Sequence, residues 1–541
     1  MATGRQTGVL PDRATSLAIL AALVCAAPVF AVTWIALTGE TGDYLLHLAR
    51  TRLPVYLIHS AYVAAVAAGG AALIGTGLGW LVARTDFPGR AVMSWVLILP
   101  LAVPAYVAAY AWFDLSQAGG PLQAATAGLF PTIRGSWGAG LMFALVLYPY
   151  VYLLARDAFT GQSADAYHAA RTLGAGPFEA FRRTALPMAR PALAAGLALV
   201  VMESLADYGT VSHLGAPTLS IGLIRAWSGA GSLVDAARLS LILVAIALIV
   251  FSLERAQRRR ARTHAASGRH KPAPRFRLAG LQALLAALAC LTPLMLGLVI
   301  PLGRLAWLAL NELPATGLAA AAWHSLTLAA ISALCAAVLG LGTAYALRSR
   351  GILAIASARA AGLGYAVPGA VAAVGVIAIL SGLQSLIDPV WRALTGQVFP
   401  ILLTGGAAAL IFAYLSRFAA AAIGPSEAAL SRVTPALDGA ARTLGATRGE
   451  TVRRVHWPLI AGGVTSAGLL VFVEVLKELP ATMILRPFNY DTLAIIAHNY
   501  ASDERLGEAA LPSLLIPLVA LLPMIFVARY LSRTRSSTGT G

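Results

Sequence analysis

Four acidic residues lie in or beside apolar segments of the sequence, where ionisable groups are costly and usually functional. Glu203 and Glu474 are 271 positions apart, and so are Asp207 and Glu478. The two pairs predict an electronegative path through a helix bundle. Such a path would suit a hard, multiply charged cation, which prefers oxygen ligands such as carboxylates. A second interpretation stays open, in which Glu203 and Glu474 brace the bundle by bonding backbone amides or arginines. Lys477, beside Glu478, is interpreted as half of an ion pair at the rim of the path.

No catalytic constellation accompanies these acids. The two lysines, Lys271 and Lys477, do not follow the GxxxxG pattern that cradles phosphate, and GxSxG and HExxH motifs are missing. The three cysteines fall in apolar runs at unrelated spacings, which excludes a disulfide framework and a cysteine metal site. The sequence therefore predicts a chain that is not an enzyme and holds no cofactor, with no firmly assigned metal site.

The composition is that of a membrane protein. Of the 541 residues, 58% are hydrophobic and only 12% are charged, against roughly 25% charged residues in soluble proteins. The net charge of +17 is spread between apolar runs, so lipid contact and membrane orientation explain it better than nucleic acid does. Because a span needs about 20 apolar residues, we predict an all-α, polytopic protein with twelve spans at about 16–37, 58–83, 91–113, 137–155, 188–206, 236–253, 278–300, 325–347, 358–380, 400–421, 459–476 and 510–528.

The spans form two copies of a six-span unit. His59–Ser60 and His324–Ser325 each precede a GxG by 16 residues, and AVPAYVAA (102–109) matches AVPGAVAA (366–373). Because six is even, the repeats are parallel. We predict a first half at 1–253, a basic linker at 254–277 and a second half at 278–541. The histidines are interpreted as interface or capping residues rather than metal relays, and Pro104 and Pro368 as helix-bending elements near the pore.

A charged loop is also duplicated. YHAARTLGAGPFEAFRRTALP (167–187) and DGAARTLGATRGETVRRVHWP (438–458) share 11 of 21 residues without a gap. With a cytoplasmic N-terminus, the inside segments hold 30 of the 40 Lys and Arg residues, as the positive-inside rule requires. Both loops and both termini are then cytoplasmic. Each loop is expected to form two short helices, broken by a glycine and ended by a proline that starts the next span.

This loop resembles the EAA loop of binding-protein-dependent ABC importer permeases, whose coupling helix fits a groove on an ATPase subunit. The match places coupling loops at about 160–187 and 424–458. The family's glutamate is His168 in the first copy and Gly439 in the second, with Asp438 one position early. The resemblance implies two ATPase subunits, which hold the ATP and Mg²⁺. The residues that match the coupling motif are His168, Ala169, Ala170, Gly174, Pro187, Gly439, Ala440, Ala441, Gly445 and Pro458.

Two further segments resemble fused iron(III) ABC transporter permeases. They are KELPATMILRPFNYDTLA (477–494) and DYGTV (207–211). The resemblance implies a bacterial inner-membrane permease for ferric iron. The longest predicted outside loop has about 30 residues (477–508), so a separate periplasmic or lipid-anchored binding protein is expected to deliver the cargo. The alternatives are the same architecture with thiamine, a phosphonate, an oxyanion or a polyamine as cargo, and a secondary transporter driven by an ion gradient.

Overall fold

The chain folds almost entirely into α-helices, which confirms the predicted all-α class. The structure is a computed structural model that describes residues 11–40, 43–162, 172–174, 176–262, 275–312, 315–349, 351–398 and 406–536. The elements of the first half are α1 Pro11–Thr38, α2 Asp43–Thr51, α3 Leu53–Arg84, β1 Thr85–Asp86, α4 Arg90–Val96, α5 Ala105–Ser116, α6 Pro121–Ala125, α7 Gly135–Gly161, α8 Pro177–Ala180, α9 Leu186–Ala206, α10 Gly209–His213, α11 Leu219–Ile224 and α12 Leu233–Arg262.

The second half repeats the order of the main helices. Its elements are β2 Phe276–Arg277, α13 Gly280–Leu294, α14 Ile300–Asn311, α15 Leu318–Arg348, α16 Ile352–Gly362, α17 Gly369–Thr395, α18 Ala407–Leu430, α19 Pro435–Thr443, α20 Arg448–Glu450, α21 Trp457–Leu476, α22 Pro480–Leu485, α23 Leu493–Ser502 and α24 Leu506–Ser536. Short 3-10 turns lie at Leu99–Ala102 and Gly364–Ala366, and π-helical turns at Phe181–Ala185, Arg225–Gly229, Met295–Val299 and Thr451–His456.

Among the described residues, eleven helices are long and apolar enough to cross a membrane, or twelve if one bent pair counts as a span. The bent pair corrects the predicted span 91–113, because segments 90–102 and 105–125 meet at 87°. The predicted span 358–380 is likewise interrupted between α16 and α17. Pro104 and Pro368 cause both breaks: each is extended, at ψ 140° and 145°, and immediately precedes a helix. They are helix-bending residues, as predicted.

Each half is built on three packed helices, α3, α7 and α9 in the first and α15, α18 and α21 in the second. Close approach depends on matched glycines. A Cβ at Gly75 would collide with Val151 on α7, and a Cβ at Gly340 would collide with Ala422 on α18. Small residues at such contacts let membrane helices pack through their backbones. Since 422 follows 151 by 271 positions, α7 and α18 keep the offset of the duplicated loop.

The first helices of each half cross over to the other half. Helix α1 packs against α15, α16, α17 and α18, whereas α13 and α14 pack against α3, α4 and α5. Arg304 on α14 forms an ion pair with Asp114 on α5, with 2.5 Å between Nε and Oδ2. The indole of Trp112 on α5 donates to the carbonyl of Leu296 at 2.9 Å. The two halves of the chain are therefore interlocked.

The predicted linker 254–277 contains regular structure at both ends. Residues 254–262 continue α12, and β2 pairs in parallel with β1, with Thr85 opposite Phe276 and Asp86 opposite Arg277. Residues 263–274 lie outside the described part of the chain.

Candidate translocation cavity and coupling segments

The four predicted acids line one cavity between the two halves. The centre of a water-sized sphere can occupy about 60 Å³ of this cavity, which is room for a few water molecules. Its walls come from the bend before α5, from α7, from the ends of α9 and α21, and from α18. Glu203 lies 16 residues beyond Pro187, about 24 Å along a helix that starts at the first duplicated loop. The cavity is therefore far from the duplicated loops.

Arg417 on α18 joins the acids of the two halves. Its Nη2 lies 3.0 Å from Oε2 of Glu203 on α9, and its Nη1 lies 2.9 Å from Oε2 of Glu478. The Arg417 side chain is 7% exposed and that of Glu478 is 5% exposed, so the bridge is shielded from solvent. Removing one partner of such a buried pair leaves an uncompensated charge. Glu203 thus has an arginine partner of the kind that the bracing interpretation expects, and this arginine belongs to the other half.

Glu474 is paired within its own helix turn. The Nζ of Lys477 lies 2.8 Å from Oε1 of Glu474. The prediction that Lys477 pairs with Glu478 is therefore wrong, because residues three apart on a helix face each other and Glu478 is bound to Arg417 instead.

The outer acids also hold the turns that follow the spans. Oδ1 of Asp207 accepts from the backbone N–H of Thr210 at 2.8 Å, and Oε1 of Glu478 accepts from the N–H of Ala481 at 3.0 Å. Each bond satisfies an N–H in the first turn of a short helix, α10 or α22. Asp207 and Glu478 therefore keep the same structural role in both halves while they face the cavity.

Sequence reasoning missed Arg417 and Tyr106. Arg417 was detectable, since a charged residue inside the predicted span 400–421 is itself a functional signal. Tyr106 follows Pro104 in the matched fragment and lines the cavity. Its ring is 2% exposed, and its hydroxyl has no hydrogen-bond partner among the described residues.

The bend before α17 brings the backbone against the ion pairs. A Cβ at Gly369 would collide with Oε1 of Glu478 and lie 3.1 Å from Nη1 of Arg417. A side chain at this position would have to displace the carboxylate of Glu478, which is bound to Arg417. Ala105 stands at the equivalent position of the first half and also lines the cavity.

The two His–Ser pairs have structural partners. Ser60 accepts from the N–H of Leu219 at 2.9 Å, and Ser325 accepts from the N–H of Leu493 at 2.8 Å. Each serine thus satisfies the first helical N–H of α11 or α23. His59 bonds Ser136 at 2.7 Å, and His324 bonds the carbonyl oxygen of Asp491 at 3.0 Å. The serines are thus the capping residues, whereas His59 and His324 lie inside α3 and α15 and bond to neighbouring segments.

A second pair of histidines lies in short helices that follow the spans, with His498 buried and His213 partly buried. Burial lowers the pKa of each imidazole from 6.5 to about 4, and the proximity of His498 adds to the shift at His213. Nδ1 of His498 lies 3.2 Å from the hydroxyl of Tyr110, and Nε2 lies 3.4 Å from the hydroxyl of Ser502. Both histidines are therefore neutral at pH 7.

Both copies of the duplicated loop turn at a glycine. Gly174 and Gly445 have φ of +89° and +78°, a conformation that favours glycine. The leucine before each glycine, Leu173 or Leu444, is 87% exposed. His168, Ala169 and Ala170 lie outside the described residues. In the second copy, Gly439, Ala440 and Ala441 form the middle of α19.

The prolines of the loop do not start new helices. In both copies a π-helical turn, Phe181–Ala185 or Thr451–His456, runs without a break into the next span. Pro187 and Pro458 follow these turns directly. Because proline has no N–H to donate to the preceding turn, the helix widens locally instead of ending. The predicted second loop helix is thus the beginning of the span.

Asp438 anchors the second loop. Its carboxylate accepts from Arg348 on α15 at 2.7 Å and contacts Nε2 of His456 at 2.6 Å. Nδ1 of His456 lies 2.8 Å from the hydroxyl of Tyr345, and His456 is fully buried. Asp438 therefore ties α19 both to α15 and to the helix that leads into α21.

The first half has apolar residues where this network would be. Trp80, equivalent to Tyr345, packs against Phe159 and Phe181 with ring centroids 5.2 Å and 4.7 Å away. Ala83 and Ala185 stand at the positions of Arg348 and His456. The described parts of the two loops thus turn at equivalent glycines, but the residues around them make different contacts.

Several known proteins are similar to this chain in sequence. A family model described as the binding-protein-dependent transport system inner membrane component matches residues 75–262. The molybdenum transport system permease protein ModB of Escherichia coli is 33% identical over 178 residues, which are 31% of this chain and 78% of ModB. The chain belongs to this family. It is a multi-pass inner-membrane permease.

Two further relatives are named for the transport of different ions. The Fe(3+)-transport system permease protein FbpB 2 of Haemophilus influenzae is 24% identical to the permease over 473 residues, 85% of this chain and 87% of FbpB 2. The sulfate transport system permease protein CysT of Salmonella typhimurium is 30% identical over 153 residues, 28% of this chain and 54% of CysT. The likeness to FbpB 2 thus includes both halves.

Proposed function

We propose that the permease is the membrane subunit of an ATP-driven importer for ferric iron. A separate extracytoplasmic binding protein delivers the cargo, and two ATPase subunits bind the duplicated loops. The ATPases hold the ATP and Mg²⁺. The N- and C-termini and both loops are cytoplasmic, so that the acidic cavity lies toward the outer face.

The acidic cavity is the observation that carries the choice of cargo. Four carboxylates converge on one small space between the halves, and oxygen ligands suit a hard trivalent cation. The similarity to FbpB 2 over most of both chains supports the same choice.

An oxyanion is the second candidate. Arg417 and Lys477 line the same cavity, and ModB and CysT are named for molybdenum and sulfate. Both cations are already paired with carboxylates, however. Ferric iron is therefore the better fit. The relatives described above are named for iron, molybdenum and sulfate, and none of them for thiamine, a phosphonate or a polyamine.

One transport assay separates these cargoes. The permease is reconstituted in liposomes with its cognate ATPase and binding protein, and ATP-dependent uptake is measured for ferric citrate, molybdate, sulfate and thiamine. We expect uptake of ferric iron alone. Uptake of an oxyanion without iron would replace the proposed cargo. Uptake that needs an ion gradient and no ATPase would identify a secondary transporter.

The exposed leucines of the two loops support ATPase docking. Leu173 and Leu444 occupy the same position in both copies, next to the positive-φ glycines, and a docked subunit would cover them. Because both side chains are 87% exposed, the double variant L173E/L444E should leave folding unchanged. We expect it to lose copurification with the ATPase and ATP-dependent uptake.

Leu129 provides a matched control. It is also 87% exposed, but it lies before α7, at the end of that helix opposite the first loop. L129E should keep ATPase binding. Normal copurification of L173E/L444E, or equal loss in L129E, would contradict docking at the duplicated loops.

A further inference from the structure

We propose that the cavity is a transit site for a multiply charged metal cation, and that Arg417 is a tethered counter-ion which the cargo displaces. The inference rests on the proposed function, in that the cargo is a cation. It adds the residues that receive the cation and the residue that neutralises them when no cargo is present.

The acids of the cavity are duplicated, whereas its cations are not. Glu203 matches Glu474, and Asp207 matches Glu478, at the offset of 271 that α7 and α18 also keep. At the same offset Arg417 matches Val146, and Lys477 matches Ala206. Val146 and Ala206 both line the cavity as well. The carboxylates thus belong to the duplicated site, and the cations are additions of the second half.

The formal charges suit displacement by a trivalent ion. Among the described residues that line the cavity, the charged ones are four acids and two cations, which leaves two negative charges. With Arg417 withdrawn, three negative charges remain and match the three positive charges of a ferric ion. Buried carboxylates without a counter-ion carry a large desolvation penalty. The cavity therefore needs Arg417 when it is empty and can release it when a cation enters.

Tyr106 is an independent indication of a ligand. Its hydroxyl is buried without a hydrogen-bond partner among the described residues, and Tyr106 lines the cavity together with Asp207 and Glu478. A buried hydroxyl that is left unpaired costs free energy. A cation held by the neighbouring carboxylates offers this oxygen a partner. Ala370 stands at the equivalent position of the second half, so Tyr106 is also an addition to the duplicated acids.

Displacement of Arg417 also acts on the contact between the halves. Glu203 is on α9 of the first half, whereas Arg417 is on α18 of the second, and their 3.0 Å pair spans the cavity. A cation that takes over Glu203 and Glu478 breaks this pair. Entry of cargo is thereby linked to separation of α9 from α18.

Binding of ferric iron to the purified permease tests the inference. The full chain, without partners, is incubated in nanodiscs with ⁵⁵Fe(III)–nitrilotriacetate, and retained iron is measured after gel filtration, with Ga(III) as a redox-inert competitor. The wild type should bind weakly. R417Q should bind about one ion per chain at least tenfold more tightly, because the competing guanidinium charge is gone. R417K, which keeps the charge, should bind like the wild type.

Further variants locate the ion. E203Q and E474Q in the R417Q background should each lower affinity at least tenfold. Y106F in that background should lower affinity severalfold. Y148F is the matched control, since the Tyr148 hydroxyl is also buried and unpartnered among the described residues but Tyr148 does not line the cavity. All variants are first required to elute as monodisperse peaks.

The outcomes separate this inference from the proposed function. If R417Q binds no more iron than the wild type, or keeps its affinity when Glu203 and Glu474 are neutralised, the transit site is wrong, even where ferric iron is transported. If the wild type binds molybdate or sulfate and R417Q loses that binding, Arg417 is an anion ligand and the cationic cargo itself is refuted.

Discussion

Neutralising Asp438 should release α19 from the rest of the second half. The variant is D438N, which keeps the size of the side chain and removes its charge. Asp438 receives two short contacts, at 2.7 Å from Arg348 and 2.6 Å from His456. An asparagine oxygen can accept one of them, while its NH₂ group faces the other donor.

The free energy lost in D438N depends on what Arg348 and His456 each lose. The Arg348 side chain is 25% exposed, so water can replace its bond, whereas His456 is fully buried. D438N loses one charge-assisted hydrogen bond and turns the other into a neutral one, which together cost about 2–3 kcal/mol. Since 1.4 kcal/mol is a factor of ten, detachment of α19 should become roughly 30- to 150-fold more frequent. The packed spans are unaffected, so insertion and yield should stay unchanged.

Hydrogen–deuterium exchange of the purified permease measures this detachment directly. The backbone amides of 435–443 should exchange faster in D438N by up to the same factor, and binding-protein-stimulated ATPase activity should fall. D388N is the control, because Asp388 pairs with Arg392, whose side chain is 56% exposed, and such surface pairs contribute less than about 1 kcal/mol. Exchange at 435–443 within twofold of the wild type in D438N would refute the anchoring role.

Three further predictions concern stability, packing and the cavity. His498 should lower stability in acid, because its pKa of about 4 in the folded protein lies below the unfolded value of 6.5. Its contribution to stability is complete above pH 6.5 and falls by about 1.4 kcal/mol per pH unit down to pH 4. The drop in apparent Tm from pH 7 to pH 5 should therefore be smaller in H498Q, and an equal drop would contradict the low pKa of His498. Coexpressed fragments cut between α12 and β2 should copurify, because α1 packs on the second half, and a stable first fragment by itself would contradict this interlock. G369A should weaken transport and lower the Tm, because overpacking costs about 1–3 kcal/mol. G382A is the control on the same helix: its new Cβ has no neighbour within 4 Å, so it should be neutral. Equal Tm values for G369A and G382A would contradict the close approach at Gly369.

Much of the scaffold could be predicted because its signals are local. Long apolar runs gave the spans, and the duplicated proline fragments gave the helix bends near the cavity. The gap-free offset between the two loops also related Glu203 to Glu474, and the structure brings both acids to one cavity. Duplication made this possible, since equivalent residues of parallel repeats meet at the same depth.

What could not be predicted depends on packing between distant segments. The bridge from Arg417 to Glu203 joins residues 214 positions apart, and periodicity gives no information on such pairs. The crossing of α1 onto the second half has the same origin. The prediction from the loop prolines was wrong for a different reason. A proline that is suited to the first turn of a helix can also follow a π-helical turn inside a longer helix, and only the backbone structure distinguishes the two cases.

A continuous helix links the two ionic clusters of the second half. Residues 448–476 form one helical segment, with His456 bound to Asp438 near its start and Glu474 in its last turn. The 18 residues between them correspond to about 27 Å. Glu478 follows directly and holds Arg417, which in turn holds Glu203 of the first half. In the first half the equivalent helix has Ala185 in place of His456, so it lacks this polar anchor at the loop end. A displacement of α19 therefore reaches Arg417 through a single stiff helix, and it reaches Glu203 of the first half through the ion pair that a cation is expected to break.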